Sequence, residues 1–567
     1  VLARLRTRLA GADALPLLAA LGLASGLLAG GVIILFRFAI EGMQAGFLPG
    51  GEPENYEALS ATARFLIPSF GGLFIGLVFQ YLGGGAQVGV VHVLERLIYN
   101  QGYLPWRNML LQFFGAALSI VSGHSVGREG PGIHLGAASG SLLGQGLHLP
   151  NNSIQTLVAC GAAASIAASF NTPMAGVIFA MEVIMMEYTI AGFTPIILAT
   201  VSATALTHLV YGPDPAFAVP SLQLASLWEL PYMLVLGAVM GALAAAFITL
   251  LQKTTTWSQT LPLWLRMTLA GLLTGLCALA VPEIMGIGYD TVNQALLGQL
   301  GLGLLLAIVV FKLAATAVGL GLGLPGGLIG PTLVMGAAAG SLLGMGADSL
   351  FPGQVASPGF YAMLGMGAMM GATLQAPLAA LVALLELTAN PNIILPGMLA
   401  IILSGLISSH LFGRDPVFRM LLRARGLDYR SDPVAQSLRR VGVASALNKA
   451  FVQAPREVAA ETARSLLQQE PRWILVEEAD KPVSLLLAAD VARHLGAHEE
   501  EETLDLMAIP AERQDIAPIE FRATLQQALE HMDQNNIDAL YVLPARGVKR
   551  PGIAGIITRH IVESYYH

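Results

Sequence analysis

Arg128 and Glu129 stand side by side in Gly123-His124-Ser125-Val126-Gly127-Arg128-Glu129-Gly130-Pro131, with long apolar runs on both sides. A charged group at bilayer depth is costly, so ionisable residues there mark functional sites. The glycines around the pair let backbone N–H groups come close to a ligand. Pro131 suits the first turn of a helix, where its missing N–H costs nothing. A helix start carries unpaired donors and partial positive charge, which attract anions. The chemistry on offer is anion binding, with the Glu129 carboxylate competing for the site. A solvated Arg–Glu pair in a surface turn is the plain alternative, and the apolar flanks argue against it.

The chain that must hold this site has 567 residues, 54% of them hydrophobic and 12% charged. Soluble domains carry about 25% charged residues. A mean hydropathy of +0.65 agrees, and a polytopic membrane protein follows. The net charge of -7 says little about partners, because most charge lies in the C-terminal part. No basic block suggests nucleic-acid binding. Cys160 and Cys277 both sit in apolar segments and read as small core residues rather than a disulfide framework.

Apolar segments are expected at 15–40, 63–82, 107–122, 131–147, 155–170, 173–189, 191–211, 231–252, 266–282, 302–320, 328–347, 360–374, 377–388 and 393–412. Several are shorter than the roughly 20 residues that a perpendicular span needs. The sequence also repeats itself. Gly130-Pro131 through Gly144 lies over Gly330-Pro331 through Gly344, and Thr172-Pro173 through Glu182 lies over Ala376-Pro377 through Glu386. Two blocks in the same order, each with a proline in register, make a duplicated membrane domain. Duplicated halves with short, broken helices are transporter architecture, with the site near the midplane. Spacing alone leaves parallel and inverted repeats both open. Gly136, Gly140 and Gly144, with Gly336, Gly340 and Gly344, are assigned to close helix packing. Glu182 and Glu386 are expected to brace the fold as buried hydrogen-bonding residues.

After Phe412 the chain changes character. Arg419, Arg423, Arg425 and Arg430 follow the last apolar run, and arginine beside a span marks the cytoplasmic side. From about Val441 the pattern is soluble α/β. Helix-strand-strand-helix occurs twice, with strands at 473–477, 483–487, 539–543 and 552–557. The expected division is a membrane domain at 1–425, a linker at 426–440 and a paired module at 441–567, its copies at about 441–498 and 505–567.

These motifs resemble the CLC family of chloride channels and proton-coupled chloride exchangers. Gly127-Arg128-Glu129-Gly130-Pro131 carries the resemblance most specifically. Gly323-Leu324-Pro325-Gly326-Gly327-Leu328-Ile329-Gly330-Pro331 is similar to the family's second anion-site motif, and 160–176 also fits. The tail resembles a pair of CBS domains. The resemblance implies an α-helical polytopic membrane protein with two inverted repeats of broken helices, plus a cytosolic α/β CBS pair. It further implies a homodimer in the plasma (inner) membrane of a bacterium, moving chloride or another small anion. Glu129 is then the external gating glutamate. Arg128, Gly130, Leu328 and Ile329 belong to the anion site, with the N–H groups of Leu328 and Ile329 as donors.

Three departures qualify that expectation. Gly85 takes the place of the family's serine, and Phe418 takes that of its central tyrosine. Losing two hydroxyl donors predicts weak central binding and poor discrimination, at about 1.5–3 kcal/mol per bond. Val183 stands where exchangers carry an internal proton glutamate. It cannot relay a proton, so passive, channel-like conduction gated by Glu129 is the expected function, with proton-coupled antiport as the alternative. Glu187, about one helical turn on, is the candidate substitute proton residue. In the tail, Asp490 has Leu487 in place of the expected hydroxyl, and Thr558 has Ile561 in place of the expected aspartate. Adenine nucleotide at Asp490 and Thr558 is therefore doubtful, no other cofactor is expected, and the tail is read as structural or dimerising.

His124 is read as a polar helix-end residue with pH sensing as the rival, and His134 as packing. No His/Cys/Asp group has metal-ligand spacing. An intramembrane enzyme using Glu129 would want a facing catalytic partner, and none is evident. A cation transporter would want several oxygen ligands, where the repeats offer glycine and backbone N–H.

Overall fold

The computed structural model describes residues 6, 9, 14–84, 88–188, 190–214, 217, 223–427, 433–479, 481–498, 500–544 and 552–566. Gly85 lies outside these residues. The chain divides into two units. One comprises Leu18–Gly146 and Gln155–Tyr429, and the other comprises Arg430–His567 with Val1–Leu17 and Leu147–Ile154.

The first half of the membrane unit runs α1 (Leu15–Phe47), α2 (Ala61–Tyr81), α3 (Val90–Tyr99), α4 (Trp106–Val121), α5 (Glu129–Gly146), α6 (Asn151–Phe170), α7 (Pro173–Phe179) and α8 (Ile190–Tyr211). The second runs α9 (Leu230–Ser258), α10 (Leu263–Ala280), α11 (Tyr289–Leu296), α12 (Leu302–Gly321), α13 (Ile329–Leu350), α14 (Pro358–Leu374), α15 (Pro377–Thr388), α16 (Ile394–Leu406) and α17 (Val417–Ala424). Among the described residues, nine helices are long and apolar enough to cross a membrane. The expected spans are helical, except that the one expected at 173–189 ends its helix at Met185. The short helices α3, α11 and α17 were not expected, because each is brief and amphipathic and lacks an apolar run.

The duplication is visible in the backbone. Gly89 and Gly288 precede α3 and α11 with φ of 87° and 86°, left-handed values that glycine adopts without strain. Gly127 and Gly327 form an antiparallel bridge. Gly127 N–H donates to Gly327 O at 2.7 Å and Gly327 N–H to Gly127 O at 2.8 Å. The repeat glycines pack as expected: a Cβ on Gly136 would lie 2.2 Å from Gly161 O, and one on Gly340 2.2 Å from Tyr361 O.

Glu182 and Glu386 brace the two halves against each other. Met174 and Ala175 N–H, at the start of α7, donate to Glu386 at 3.0 and 2.7 Å. Leu378 and Ala379 N–H, at the start of α15, donate to Glu182 at 3.4 and 2.8 Å. Each helix opens on proline, so the carboxylate takes the first donors the helix has, and its charge suits the helix dipole. Glu386→Ala is expected to cost about 1.5 kcal/mol and Glu386→Gln less, read as melting temperature in detergent. An unchanged melting temperature for Glu386→Ala contradicts the brace.

In the tail unit a six-stranded sheet has the order β1 (Phe451–Pro455), β3 (Trp473–Glu478), β4 (Lys481–Leu487), β6 (Arg513–Glu520), β7 (Ala539–Leu543), β8 (Gly555–Thr558). β2 (Glu457–Ala459) pairs with β5 (Thr503–Asp505). β1/β3 and β6/β7 are parallel, β3/β4 and β7/β8 antiparallel, so one three-strand pattern occurs twice. The helices are α18 (Pro433–Arg439), α19 (Ala460–Leu467), α20 (Ala488–Ala497), α21 (Leu525–Asn535) and α22 (Arg559–Glu563). Two separate apolar cores fill the two halves. The expected linker over 426–440 is partly helix. Val434 and Leu438, one turn apart, give α18 an apolar stripe, and Leu438 is buried in the core with Leu525 and Met532. β6 was not expected, because Pro518 and its charged residues break the alternation.

Candidate functional site

Glu129 is the first residue of α5 and is 1% exposed. Its Oε2 accepts the N–H of Gly330, in the first turn of α13, at 3.2 Å. Its Oε1 accepts the hydroxyl of Tyr289, the first residue of α11. The carboxylate therefore occupies the place an anion would take at a helix start. A Cβ on Gly127 would lie 2.4 Å from Glu129 Oε2, so glycine there is what lets the carboxylate lie back against its own loop.

Two cavities flank Glu129. Gly130 lines one, of 340 Å³, and Arg128 lines the other, of 390 Å³, while Glu129 lines neither. Leu328, Ile329 and Phe418 line the 340 Å³ cavity with Gly130. Gly89 and Val90 line it too, so the starts of α3, α5, α13 and α17 all face it. Arg266 and Arg425 add positive charge to its wall. Phe418 brings a ring without a hydroxyl, as its identity requires. The 390 Å³ cavity holds Arg37, Glu41, Glu54, Tyr289 and Asp290.

The structure revises the part given to Arg128. Its guanidinium is 3.5 Å from Glu41 and lies over the Tyr289 ring at 5.2 Å. It lines the 390 Å³ cavity, on the side where Glu41 supplies the opposite charge, and does not line the 340 Å³ one. Glu187 is also revised. A π-helical turn over Ala180–Met185 ends at Met186 in the left-handed conformation. Glu187 thus lies beyond the helix rather than one turn further along it, while Val183 is buried in that turn.

Tyr289 escaped the sequence reasoning, although Gly288-Tyr289-Asp290 mirrors Gly89 at the start of α3. Tyr289 packs against Phe170 and Phe217, and its N–H donates to Glu54 at 3.1 Å. Glu54 lies in the segment between α1 and α2. Burial, and then the Asp290 carboxylate, raise Glu54 from its ordinary 4.5 to about 7. Burial and Asp290 do the same to Glu57. A carboxyl raised on folding contributes stability below its ordinary value that is lost as pH rises through the folded one. The fold therefore loses stability between about pH 4.5 and 7 at these groups. Glu54 keeps part of its surface open, so screening limits its share to about 1 kcal/mol. Glu54→Gln is expected to flatten the melting temperature over that range, and a variant with the wild-type pH profile contradicts the assignment.

His124 Nδ1 lies 3.0 Å from Ser122 Oγ and 3.1 Å from Ser119 O, at the end of α4. His134 is buried and its Nε2 meets His92 Nδ1 at 2.9 Å, which fits a packing residue with a hydrogen-bond partner. In the tail, Asp490 pairs with Arg493 at 3.3 Å. Leu487 caps α20 without a hydroxyl, and Thr558 stands at the start of α22. Among the described residues no cluster of His, Cys, Asp or Glu has metal-holding geometry.

Comparison with known proteins meets this geometry. The profile of the family described as voltage gated chloride channel matches residues 71–409. A putative chloride channel protein, ClcB-like, of Ralstonia nicotianae is 36% identical over 386 residues, covering 67% of this chain and 90% of that protein. The H(+)/Cl(-) exchange transporter ClcA of Vibrio cholerae is 31% identical over 371 residues, covering 64% and 79%. The crystal structure of a slow cyanobacterial Cl-/H+ antiporter superposes with a TM-score of 0.65 at 24% identity, covering 72% of this chain and 97% of that one, which speaks for the fold. With a buried glutamate at converging helix starts, a duplicated helical fold and these relatives, the chain belongs to the voltage-gated chloride channel family, the CLC anion transporters.

Proposed function

We propose that this protein exchanges chloride, or another small anion, for protons across the plasma membrane, and that Glu129 both gates the anion path and carries the proton. One observation carries the reading: the Glu129 carboxylate stands between two cavities and holds a helix-start N–H that an anion would use. Carboxylate and anion exclude each other, so an anion enters as Glu129 takes a proton or swings away. That competition ties proton movement to anion movement.

Val183 taken alone points to passive conduction. Exchange draws more support, because a 31% identical relative carries the name of an H(+)/Cl(-) exchange transporter. Val183 still favours the channel as a second reading. In the exchanger, the internal leg of the proton path runs through water in the 340 Å³ cavity or through Glu187, since Val183 cannot titrate. The two halves are proposed as inverted repeats and the assembly as a homodimer. The arginines that follow the last apolar run put the tail on the cytoplasmic side in this reading. The tail is a CBS pair in this reading, with a structural or dimerising role. Phe418 leaves the site without a tyrosine hydroxyl, which lowers central affinity.

Reversal potentials in a planar bilayer test the proposal. With equal chloride on both sides, a pH gradient shifts the reversal potential of an exchanger. A potential that stays at zero is the channel's result and sinks the exchange reading.

A further inference from the structure

Gln112 is the unexplained polar residue beside the site. It lies on α4, is 0% exposed, and lines the 340 Å³ cavity with Gly130, Ile329 and Phe418. Neither its Oε1 nor its Nε2 has a hydrogen-bond partner. A buried amide without partners is costly, and such groups call for a ligand or ordered water.

The repeat sharpens the point. Lys312 stands 200 residues further along, at the matching place on α12. Its Nζ donates to the carbonyls of Ile284, Gly286 and Ile287 at 3.0, 3.1 and 3.2 Å. In the second half this position is satisfied by the chain itself. In the first half it carries a neutral amide that opens on the cavity.

We propose that Gln112 is a side-chain ligand of the transported anion, its Nε2–H donating to a halide or other small monovalent anion. It supplies in the first half of the repeat the donor that Phe418 lacks in the second. A neutral amide binds an anion without trapping it as an ammonium would, which suits a site that must also release. The inference rests on the reading that this cavity carries the anion, whether or not protons are coupled to it.

The test compares wild type, Gln112→Met and Gln112→Asn in liposomes and in detergent. Gln112→Met keeps the length and loses the amide, and Gln112→Asn keeps the amide on a shorter stem. Initial efflux is recorded for chloride, bromide and nitrate, and the melting temperature is taken with and without chloride. A ligand raises the melting temperature of the form that binds it. Gln112→Met is expected to slow chloride efflux about tenfold, to change the ratios among the three anions, and to shrink the chloride-induced rise in melting temperature. Gln112→Asn is expected to fall between it and wild type, and decides the matter if Gln112→Met does not fold. A buried structural glutamine gives a different result. Its loss changes the melting temperature in chloride-free buffer but leaves efflux, anion ratios and the chloride-induced rise as in wild type, and that overturns the proposal. Wild-type efflux without proton movement refutes exchange and leaves the Gln112 comparison intact.

Discussion

Glu129→Gln is expected to stop chloride-driven proton movement, by at least about 100-fold, while chloride efflux continues. Glutamine keeps the shape of the side chain, and its amide can still meet Gly330 N–H through its oxygen. It cannot take up a proton in the working pH range, so the carrier step is lost. It also removes the negative charge that competes with the anion, so efflux should lose its dependence on pH. Paired recordings from a chloride electrode and a pH electrode on the same vesicles read both quantities. Proton movement that survives in Glu129→Gln would place the proton carrier elsewhere.

Gly327→Ala is expected to be nearly as damaging, although the residue carries no chemistry. A Cβ there would lie 2.6 Å from Gly130 N and 3.0 Å from Gly127 O. These are backbone atoms of the other half and cannot turn away. Overpacking of this kind costs about 1–3 kcal/mol. The functional effect is larger, because the bridge sets the approach of α5 to α13 and so the reach of Gly330 N–H to Glu129. A displacement near 1 Å in a positioned site can cost on the order of 100-fold. Gly303→Ala is the control, since a Cβ there meets nothing within 4 Å. Equal transport by the two variants would show that the bridge does not position the site.

What could be read from the sequence was local chemistry. An Arg–Glu pair between apolar runs, prolines in register and a repeat at constant offset led to Glu129, to the two converging helices and to the Glu182/Glu386 brace. The partners of Glu129 were another matter. Tyr289 lies 160 residues away, and nothing near it in sequence says which side chain its hydroxyl meets. The short helices α3, α11 and α17 were missed because a hydropathy pattern finds spans, whereas these helices are short and line the cavities, α3 and α17 the 340 Å³ one and α11 the 390 Å³ one. Nothing in the sequence singles out Gln112, one polar residue in an apolar helix, and only its burial and lack of partners do so. Glu187 was misplaced because helical periodicity was extended through a π turn, whose geometry depends on tertiary packing. Val183 points toward conduction because a missing proton group weighs heavily in a motif, and exchange needs water or another side chain in its place.

The most direct test of proton-coupled exchange uses vesicles loaded with high chloride, placed in low chloride, with no initial pH difference and the membrane potential clamped. The account predicts that chloride leaving the vesicles drives protons inward, acidifying the interior against the gradient it creates, and that Glu129→Gln abolishes this. Chloride efflux with no change in internal pH in the wild type would contradict the account and return the protein to passive conduction.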